Sequence, residues 1–172
     1  FKQKTAYEIN MAKAGKEARI ILKMNALQDP AMIDELYKAS EAGVKIDLIV
    51  RGICCLIPNQ PYSRNIRITR IVDSFLEHAR VWYFHHGGKP LLFMGSPDWM
   101  RRNLYRRIEA VTPILDEDLK QQLIDMLAIQ LKDNRKAGWV DENLNNVLKR
   151  NPKEEPVRAQ YAFYEYLKGK NK

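Results

Sequence analysis

The stretch ARIILKMNALQDPAMIDELYKASEAGVKIDLIV, residues 18–50, decides the fold. Its apolar runs at 18–24 and 45–50 are short and rich in aliphatic residues, which is typical of buried strands. The segment between them, 29–43, has Pro30 in a first helical turn, apolar residues at helical spacing and a final glycine. A strand, a helix of about a dozen residues and a second strand predict a crossover unit whose two strands lie parallel.

Further strands and helices are predicted outside this unit. The pattern predicts strands at 66–72, 81–84, 91–94 and 107–114, a hairpin turn at 85–90, and helices at 5–16, 116–132 and 157–168. From Asn134 the chain is predicted to run as a polar loop towards the last helix. Together these elements predict an α/β domain with a mixed sheet flanked by helices.

Length and composition bound the domain count and the compartment. At 172 residues and 45% hydrophobic composition, the chain has room for a single domain, 1–172, with a tail at 134–172 whose terminal helix packs on it. The two cysteines are neighbours, Cys54 and Cys55, and a disulfide between neighbours would close no useful loop. We therefore expect a reducing, cytoplasmic compartment. No apolar run approaches the roughly twenty residues that cross a bilayer.

Positive charge is concentrated between Arg51 and Arg107. This third of the chain has ten basic residues against three acidic ones and holds nearly all of the net charge of +8. Nine of the ten are arginines, whose planar guanidinium groups match phosphate oxygens two at a time. We expect a polyphosphorylated anion as partner. The sequence has no GxxxxGK[ST] phosphate loop, no GxGxxG motif and no signature of an RNA-recognition or helix-turn-helix domain.

Two residues are candidates for a site at the ends of strands. Arg51 follows a predicted buried strand directly and precedes Gly52, which is where open α/β sheets place ligand-binding loops. A solvated strand end with an ion pair is the alternative. His78 stands two residues before Arg80 and the next strand, where it could donate a proton, take a phosphoryl group or bind phosphate. Its alternative is a histidine that closes a helix and has no further role.

The motif Gly95-Ser96-Pro97-Asp98-Trp99-Met100-Arg101-Arg102-Asn103 follows a predicted strand. Such a turn can present backbone amides and guanidinium groups to phosphate. We therefore predict phosphate contacts at Arg101, Arg102 and Arg106, and a solvated charge run is the alternative. The pair His85 and His86 lies beside two glycines in a turn, where we expect both side chains to be solvated; a glycine loop near a phosphate site that uses them is the alternative.

Several blocks in the right order resemble the carboxyl-terminal catalytic domain of the bacterial polyphosphate kinases that synthesise polyphosphate from ATP. The blocks are LIVRGICCLIPN, NIRITRIVDSFLEHARVWYF, GSPDWMRRNLYRRIEAVTPILD and VRAQYAFYEYL. The resemblance runs from the ALQD segment to Leu167. It implies a phospholipase-D-like fold and the second of two tandem carboxyl-terminal domains.

The resemblance also implies roles for single residues. Arg51 in VRG and His78 in FLEH would contact ATP, and His78 would be required for catalysis. Independently of the resemblance, Arg80 is predicted as a further phosphate contact, like Arg101, Arg102 and Arg106. The terminal phosphate of ATP would pass to polyphosphate through a phosphohistidine, which lies in the preceding domain of the family and has no counterpart here. We therefore expect a fragment that is inactive alone, with Mg²⁺ bound mainly outside it and no metal ligand within it.

The same resemblance implies partners beyond ATP, ADP and polyphosphate. These are the preceding domain of the same chain, further copies in a homo-oligomer, and a membrane surface by peripheral association; no specific nucleic acid is expected.

Two other functions stay open. A phospholipase-D-like phosphodiesterase or nuclease would have lysine two residues after the histidine and an aspartate further on. Here Arg80 and His85 stand at those positions. A non-catalytic basic module that binds any polyanion is the third interpretation, and its affinity would fall steeply with salt.

Overall fold

The computed structural model describes residues 1–150 and 152–170. Within those residues there are five helices and eight strands, apart from two short 3₁₀ turns. The helices are α1 (Lys2–Lys13), α2 (Pro30–Glu41), α3 (Arg101–Arg106), α4 (Glu117–Lys132) and α5 (Ala159–Lys170). The strands are β1 (Arg19–Met24), β2 (Lys45–Val50), β3 (Ile66–Ile71), β4 (Val81–Phe84), β5 (Leu91–Gly95), β6 (Val111–Pro113), β7 (Ala137–Val140) and β8 (Asn146–Leu148).

All eight strands form one mixed sheet in the order β6-β5-β4-β1-β2-β3-β7-β8. Strand β1 is parallel to β2, and β2 is parallel to β3, so the predicted crossover unit is confirmed. The other neighbours pair antiparallel. Because β4 is antiparallel to β1, it begins at the edge of the sheet where β1 ends, and β5 returns to that edge.

The alternating side chains of the central strands fill two cores. Ile20, Leu22 and Met24 of β1 lie in the larger core, to which α2 contributes Ile33, Leu36 and Ala39. Ile21 points to the other face and packs with Leu127 of α4. Each fully buried aliphatic side chain contributes about 1.5–3 kcal/mol. The helices therefore flank the sheet on both faces, as predicted.

Local signals explain where α2 begins and ends. The Asp29 side chain accepts a hydrogen bond from the Met32 amide at 3.1 Å, and Pro30 occupies the first turn, where its missing N–H costs nothing. Gly43 has φ +99°, a conformation that suits glycine and turns the chain into β2.

Two predictions of local structure and one alternative are wrong. The strand predicted at 107–114 is confined to β6, because Glu109 and Ala110 form hydrogen bonds with Ser96 and Asn103 before the strand begins. The segment 73–78 is irregular, so His78 does not close a helix. Part of the predicted loop after Asn134 forms β7 and β8, and β7 extends the sheet by pairing with β3.

Candidate active site

The carboxyl ends of β1, β2 and β3 meet at one edge of the sheet, together with the start of β4 and the end of β5. The chain leaves β2 at Arg51, approaches β4 through His78 and Arg80, and leaves β5 towards Asp98. In open α/β sheets, ligands bind in crevices at the carboxyl ends of strands. This edge is therefore the candidate active site.

Asp98 is a buried carboxylate that connects the end of β1 to Arg80. It is 5% exposed, and its Oδ1 accepts hydrogen bonds from the backbone amides of Asn25 at 2.8 Å and Ala26 at 3.1 Å. Burial on its own would raise the pKa of Asp98, but the hydrogen bonds from Arg80 and the two amides outweigh it and hold the pKa below the ordinary value. The carboxylate thus stays ionised and fixed against the end of β1.

Arg80 connects Asp98 to His78. Its Nε and Nη2 donate to the two carboxylate oxygens at 3.2 and 2.9 Å, and this ion pair is largely buried. Its Nη1 donates to the His78 carbonyl at 2.9 Å. The imidazole nitrogens lie 3.4 Å and 3.5 Å from the Arg80 Nη atoms, and the His78 side chain is exposed. An exposed imidazole on a fixed backbone is available to a ligand.

A second ion pair holds the residue before His78. Glu77 accepts a hydrogen bond from Lys23 Nζ at 2.7 Å, from Gln160 at 3.0 Å, and from Gln130. Burial lowers the pKa of Lys23, the Glu77 carboxylate opposes this, and the nearby charge of Arg51 lowers it further. Lys23 therefore interacts both with the charge of Arg51 and with Glu77, the residue before His78.

Arg51 is half-buried at the end of β2, as the sequence predicts. It lines a small cavity with Glu77 and Ala79, the two neighbours of His78. The Arg51 guanidinium forms no hydrogen bond or ion pair with any residue in the described ranges. Arg70 fixes the following turn, since its Nη2 donates to the Gly52 carbonyl at 2.7 Å. A side chain at Gly52 would approach the Asn25 carbonyl to 3.1 Å, so this turn favours glycine.

The remaining predicted phosphate contacts are arginines of the short helix α3. Arg101, Arg102 and Arg106 are exposed, and none of them is joined to His78 or Arg80 by a hydrogen bond in the described part of the chain. The turn before α3 is held by Glu109, which accepts hydrogen bonds from Ser96 and from Asn103. These two hydrogen bonds lower the pKa of Glu109, and Arg80 adds a smaller effect of the same sign.

His85 and His86 lie at the opposite edge of the sheet from the candidate active site. They follow β4, whose start carries the His78 segment. His85 Nε2 lies 3.9 Å from Glu17 Oε2, and the His86 amide donates to Glu8 at 2.6 Å. The two adjacent cysteines are free thiols, Cys54 buried and Cys55 exposed.

No local sequence pattern predicted the contacts that hold the 73–78 segment. Asp73 forms two hydrogen bonds with Arg158, at 2.8 and 2.6 Å, across 85 residues of sequence. Gln160 accepts from the Phe75 amide at 2.9 Å and donates to the Phe75 carbonyl at 2.8 Å. Both partners lie at the start of α5, so the terminal helix secures the approach to His78.

The described ranges contain no group of three or more histidine, cysteine or acidic side chains that could hold a metal ion. In the same ranges, no helix is long and apolar enough to cross a membrane.

Solved structures define the class of this fold. The chain superposes on Nuc from Salmonella typhimurium, a phospholipase D family member, with a TM-score of 0.51 at 13% identity, covering 73% of this chain and 85% of that one. NucT from Helicobacter pylori gives 0.50 at 11% identity, covering 76% and 88%. The fold is therefore phospholipase-D-like, as expected.

Sequence comparison identifies the family. The family model "Polyphosphate kinase C-terminal domain 2" matches residues 1–160, so the chain belongs to the polyphosphate kinase family as this domain. Polyphosphate kinases of Yersinia pestis and Vibrio cholerae are each 49% identical, over 94% and 96% of this chain. The crystal structure of polyphosphate kinase from Porphyromonas gingivalis matches with a TM-score of 0.96 at 58% identity, covering 98% of this chain and 26% of that one. The chain spans 24% of the length of the two curated relatives.

Proposed function

We propose that this chain is the carboxyl-terminal part of the catalytic core of a polyphosphate kinase. It would supply ATP-binding residues for reversible transfer of the terminal phosphate of ATP to polyphosphate. The transferred phosphoryl group would pass through a phosphohistidine of the preceding domain. One observation carries the proposal. The Arg51 guanidinium has no hydrogen-bond or ion-pair partner in the described ranges, and Arg51 lines a cavity with Glu77 and Ala79, the residues on either side of the exposed His78.

Arg51 and His78 would act on phosphate oxygens. Phosphoryl transfer spreads negative charge over the oxygens of the moving group, and enzymes stabilise it by fixed positive groups rather than by covalent chemistry. Arg51 suits that role because its donors are free to bind a ligand. His78 would donate a hydrogen bond or a proton to a phosphate oxygen.

The other predicted phosphate contacts divide into two groups. Three Arg80 donors already bind Asp98 and the His78 carbonyl, so its chief role would be to position His78. Arg101, Arg102 and Arg106 have exposed side chains and could bind the outer phosphates of a chain.

The remaining parts of the proposal concern the whole enzyme. Residues 1–172 would form one domain of a longer chain, with the segment 134–172 packing on its core. The preceding domain would cover the exposed Phe75 and Leu76 beside His78. Mg²⁺ would bind with ATP outside this chain, and the full-length enzyme would be a cytoplasmic homo-oligomer that associates peripherally with membranes.

Calorimetric titration with ATP and Mg²⁺ tests the ATP site. The wild-type chain should bind saturably, and Arg51→Ala and His78→Ala should each weaken binding about tenfold, the loss of one charge-assisted hydrogen bond. Arg64→Ala is the matched control, since Arg64 is exposed just before β3, at the opposite edge of the sheet. Equal binding by all four proteins would refute the ATP site.

An activity assay tests the dependence on the preceding domain. The purified chain should form no polyphosphate from ATP. Synthesis by this chain alone would contradict the proposed division of labour.

A phospholipase-D-like phosphodiesterase is disfavoured by two residues. Arg80 replaces the lysine of that motif, and its guanidinium is committed to Asp98. His85, in the position of the aspartate, lies at the far end of β4. Hydrolysis of a phosphodiester that is lost in His78→Ala would reverse this assignment.

A further inference from the structure

A second cluster of cations lies outside the candidate active site. Four basic side chains line a cavity of about 360 Å³: Arg135, Lys136, Arg150 and Arg158. Among the described residues, no acidic side chain lines this cavity. An adjoining cavity of about 330 Å³ shares Arg135 and Arg150 and has Glu154 in its wall. The sequence pattern predicted a polar loop at this position.

A buried carboxylate builds the walls of the cavity. Asp133 is fully buried, and its Oδ1 accepts hydrogen bonds from the amides of Arg135 at 2.9 Å, Lys136 at 2.8 Å and Ala137 at 3.0 Å. Its Oδ2 accepts from the Ala159 amide at 2.7 Å. One side chain thus fixes the turn before β7 and the start of α5, and two of the four cations lie on that turn.

Several hydrogen-bond donors of the basic side chains in this cavity are available to a ligand. Arg135 and Lys136 are exposed, and their side chains form no hydrogen bond or ion pair within the described ranges. Arg158 binds Asp73 and Ser74 through Nε and Nη2, which leaves Nη1 for a ligand. Because Asp73 already pairs with Arg158, the side chains of Arg135 and Lys136 supply positive charge that an anionic ligand could neutralise.

The cavity lies at the same edge of the sheet as His78. Strand β7 begins beside the end of β3, because Ile71 pairs with Ala137. Arg158 reaches Asp73, five residues before His78, so the cavity and the candidate active site share one segment of chain. A long anion bound at His78 could therefore extend along this edge of the sheet and reach the positively charged side chains of the cavity.

We propose that the cavity lined by Arg135, Lys136, Arg150 and Arg158 binds a linear phosphoanhydride chain, that of inorganic polyphosphate. The proposal rests on the proposed function, which brings such a chain to this edge. Several cations around one cavity match successive charged phosphates better than a single phosphate group. None of the four lining residues is aromatic, which favours a phosphate-only ligand over single-stranded nucleic acid, whose bases stack on aromatic rings.

The test compares two double variants that each remove two positive charges. Arg135→Gln with Lys136→Gln removes them from the cavity and leaves the backbone amides that bind Asp133. Lys45→Gln with Arg64→Gln removes them from exposed positions at the opposite edge of the sheet. Each protein is titrated with a short polyphosphate of defined length, with ATP and Mg²⁺, and with a single-stranded oligonucleotide, at two salt concentrations.

The cavity variant should bind polyphosphate about tenfold more weakly and still bind ATP. The slope of the logarithm of its polyphosphate affinity against the logarithm of the salt concentration should be shallower by about one unit per lost contact. The control variant should bind polyphosphate as the wild-type chain does. Equal polyphosphate binding by both variants, or a wild-type chain that does not bind polyphosphate, overturns the proposal. So does an oligonucleotide that binds as tightly as polyphosphate and loses as much affinity in the cavity variant.

The outcome also separates this inference from the proposed function. Normal polyphosphate binding in the cavity variant, with ATP binding lost in Arg51→Ala, refutes the polymer site alone. Loss of polyphosphate binding in the cavity variant, with ATP binding unaffected by Arg51→Ala, refutes the ATP site alone.

Discussion

At the scale of single residues, the Asp98 carboxylate holds Arg80 through two hydrogen bonds and caps the end of β1 through two more. Replacing Asp98 with alanine leaves a guanidinium that is 13% exposed without its counter-charge. Breaking such a pair from one side costs about 3 kcal/mol, and we expect that loss in the free energy of unfolding, measured in urea.

The control for Asp98 is an exposed ion pair. Glu35→Ala removes the partner of Lys38 on the surface of α2, where the two side chains lie one helical turn apart. Solvent screens such pairs, so the midpoint of unfolding should shift far less than in Asp98→Ala. Equal shifts in the two variants would mean that Arg80 is not held as described.

Asp73 makes a testable contribution to stability in acid. The hydrogen bonds from Arg158 lower its pKa to about 2 from an ordinary value of 3.8; burial opposes the shift, and the Ser74 amide and the charges of Arg158 and Lys136 reinforce it. A carboxylate with a lowered pKa stabilises the folded state above its unfolded pKa and loses that contribution as the pH falls through the folded value. The stabilisation should therefore disappear between about pH 4 and pH 2.

Urea unfolding of the wild-type chain and of Asp73→Asn at a series of pH values measures this contribution. The two stability curves should differ above about pH 4 and converge towards pH 2. A constant difference across that range would show that Asp73 does not titrate as its contacts require.

At the scale of elements, α5 clamps the approach to His78 through Gln160. This side chain bonds both backbone groups of Phe75 as well as Glu77. Gln160→Ala should release the segment, and the Phe75 amide should exchange its hydrogen about tenfold faster. Glu165→Ala, at an exposed position of the same helix, should leave that exchange rate unchanged. If the Phe75 amide exchanges as slowly in Gln160→Ala as in the wild-type chain, Gln160 does not hold this segment.

The elements also show what the sequence could predict. Strands β2 and β4 have the predicted bounds, since β2 is rich in aliphatic residues between Gly43 and Gly52, and β4 is a run of four apolar residues. Strands β7 and β8 were missed because they are four and three residues long, and β8 is fully exposed, which leaves no alternation to read. The α3 helix has only six residues, too few for a helical repeat.

The site was predictable to a similar degree. The position of Arg51 after a buried strand was visible in the local pattern. The partners that hold His78 were not, because Lys23 and Glu77 are 54 residues apart and Asp73 and Arg158 are 85 apart. Such contacts depend on how α4 and α5 return to the sheet, and no local periodicity records that.

At the scale of the whole molecule, the segment after α4 is joined to the core by Asp133. Four backbone amides donate to this buried carboxylate, and β7 pairs with β3 beside it. Asp133→Ala would leave four donors without a partner, at a cost of about 3 kcal/mol or more. If the chain unfolds as one cooperative unit, the amide of Leu48 in β2 should also exchange faster in this variant.

Asp141→Ala is the matched control for cooperativity. Asp141 also accepts backbone hydrogen bonds, from the amides of Asn143 at 3.0 Å and Asn145 at 2.7 Å, but within the exposed turn between β7 and β8. Its loss should free that turn and leave the exchange of Leu48 unchanged. If Asp133→Ala frees only the segment after α4 and spares Leu48, that segment, including β7 and β8, unfolds separately from the core. The cavity lined by Arg135 and Lys136 and the contacts of α5 with the His78 segment would then open without unfolding the central strands.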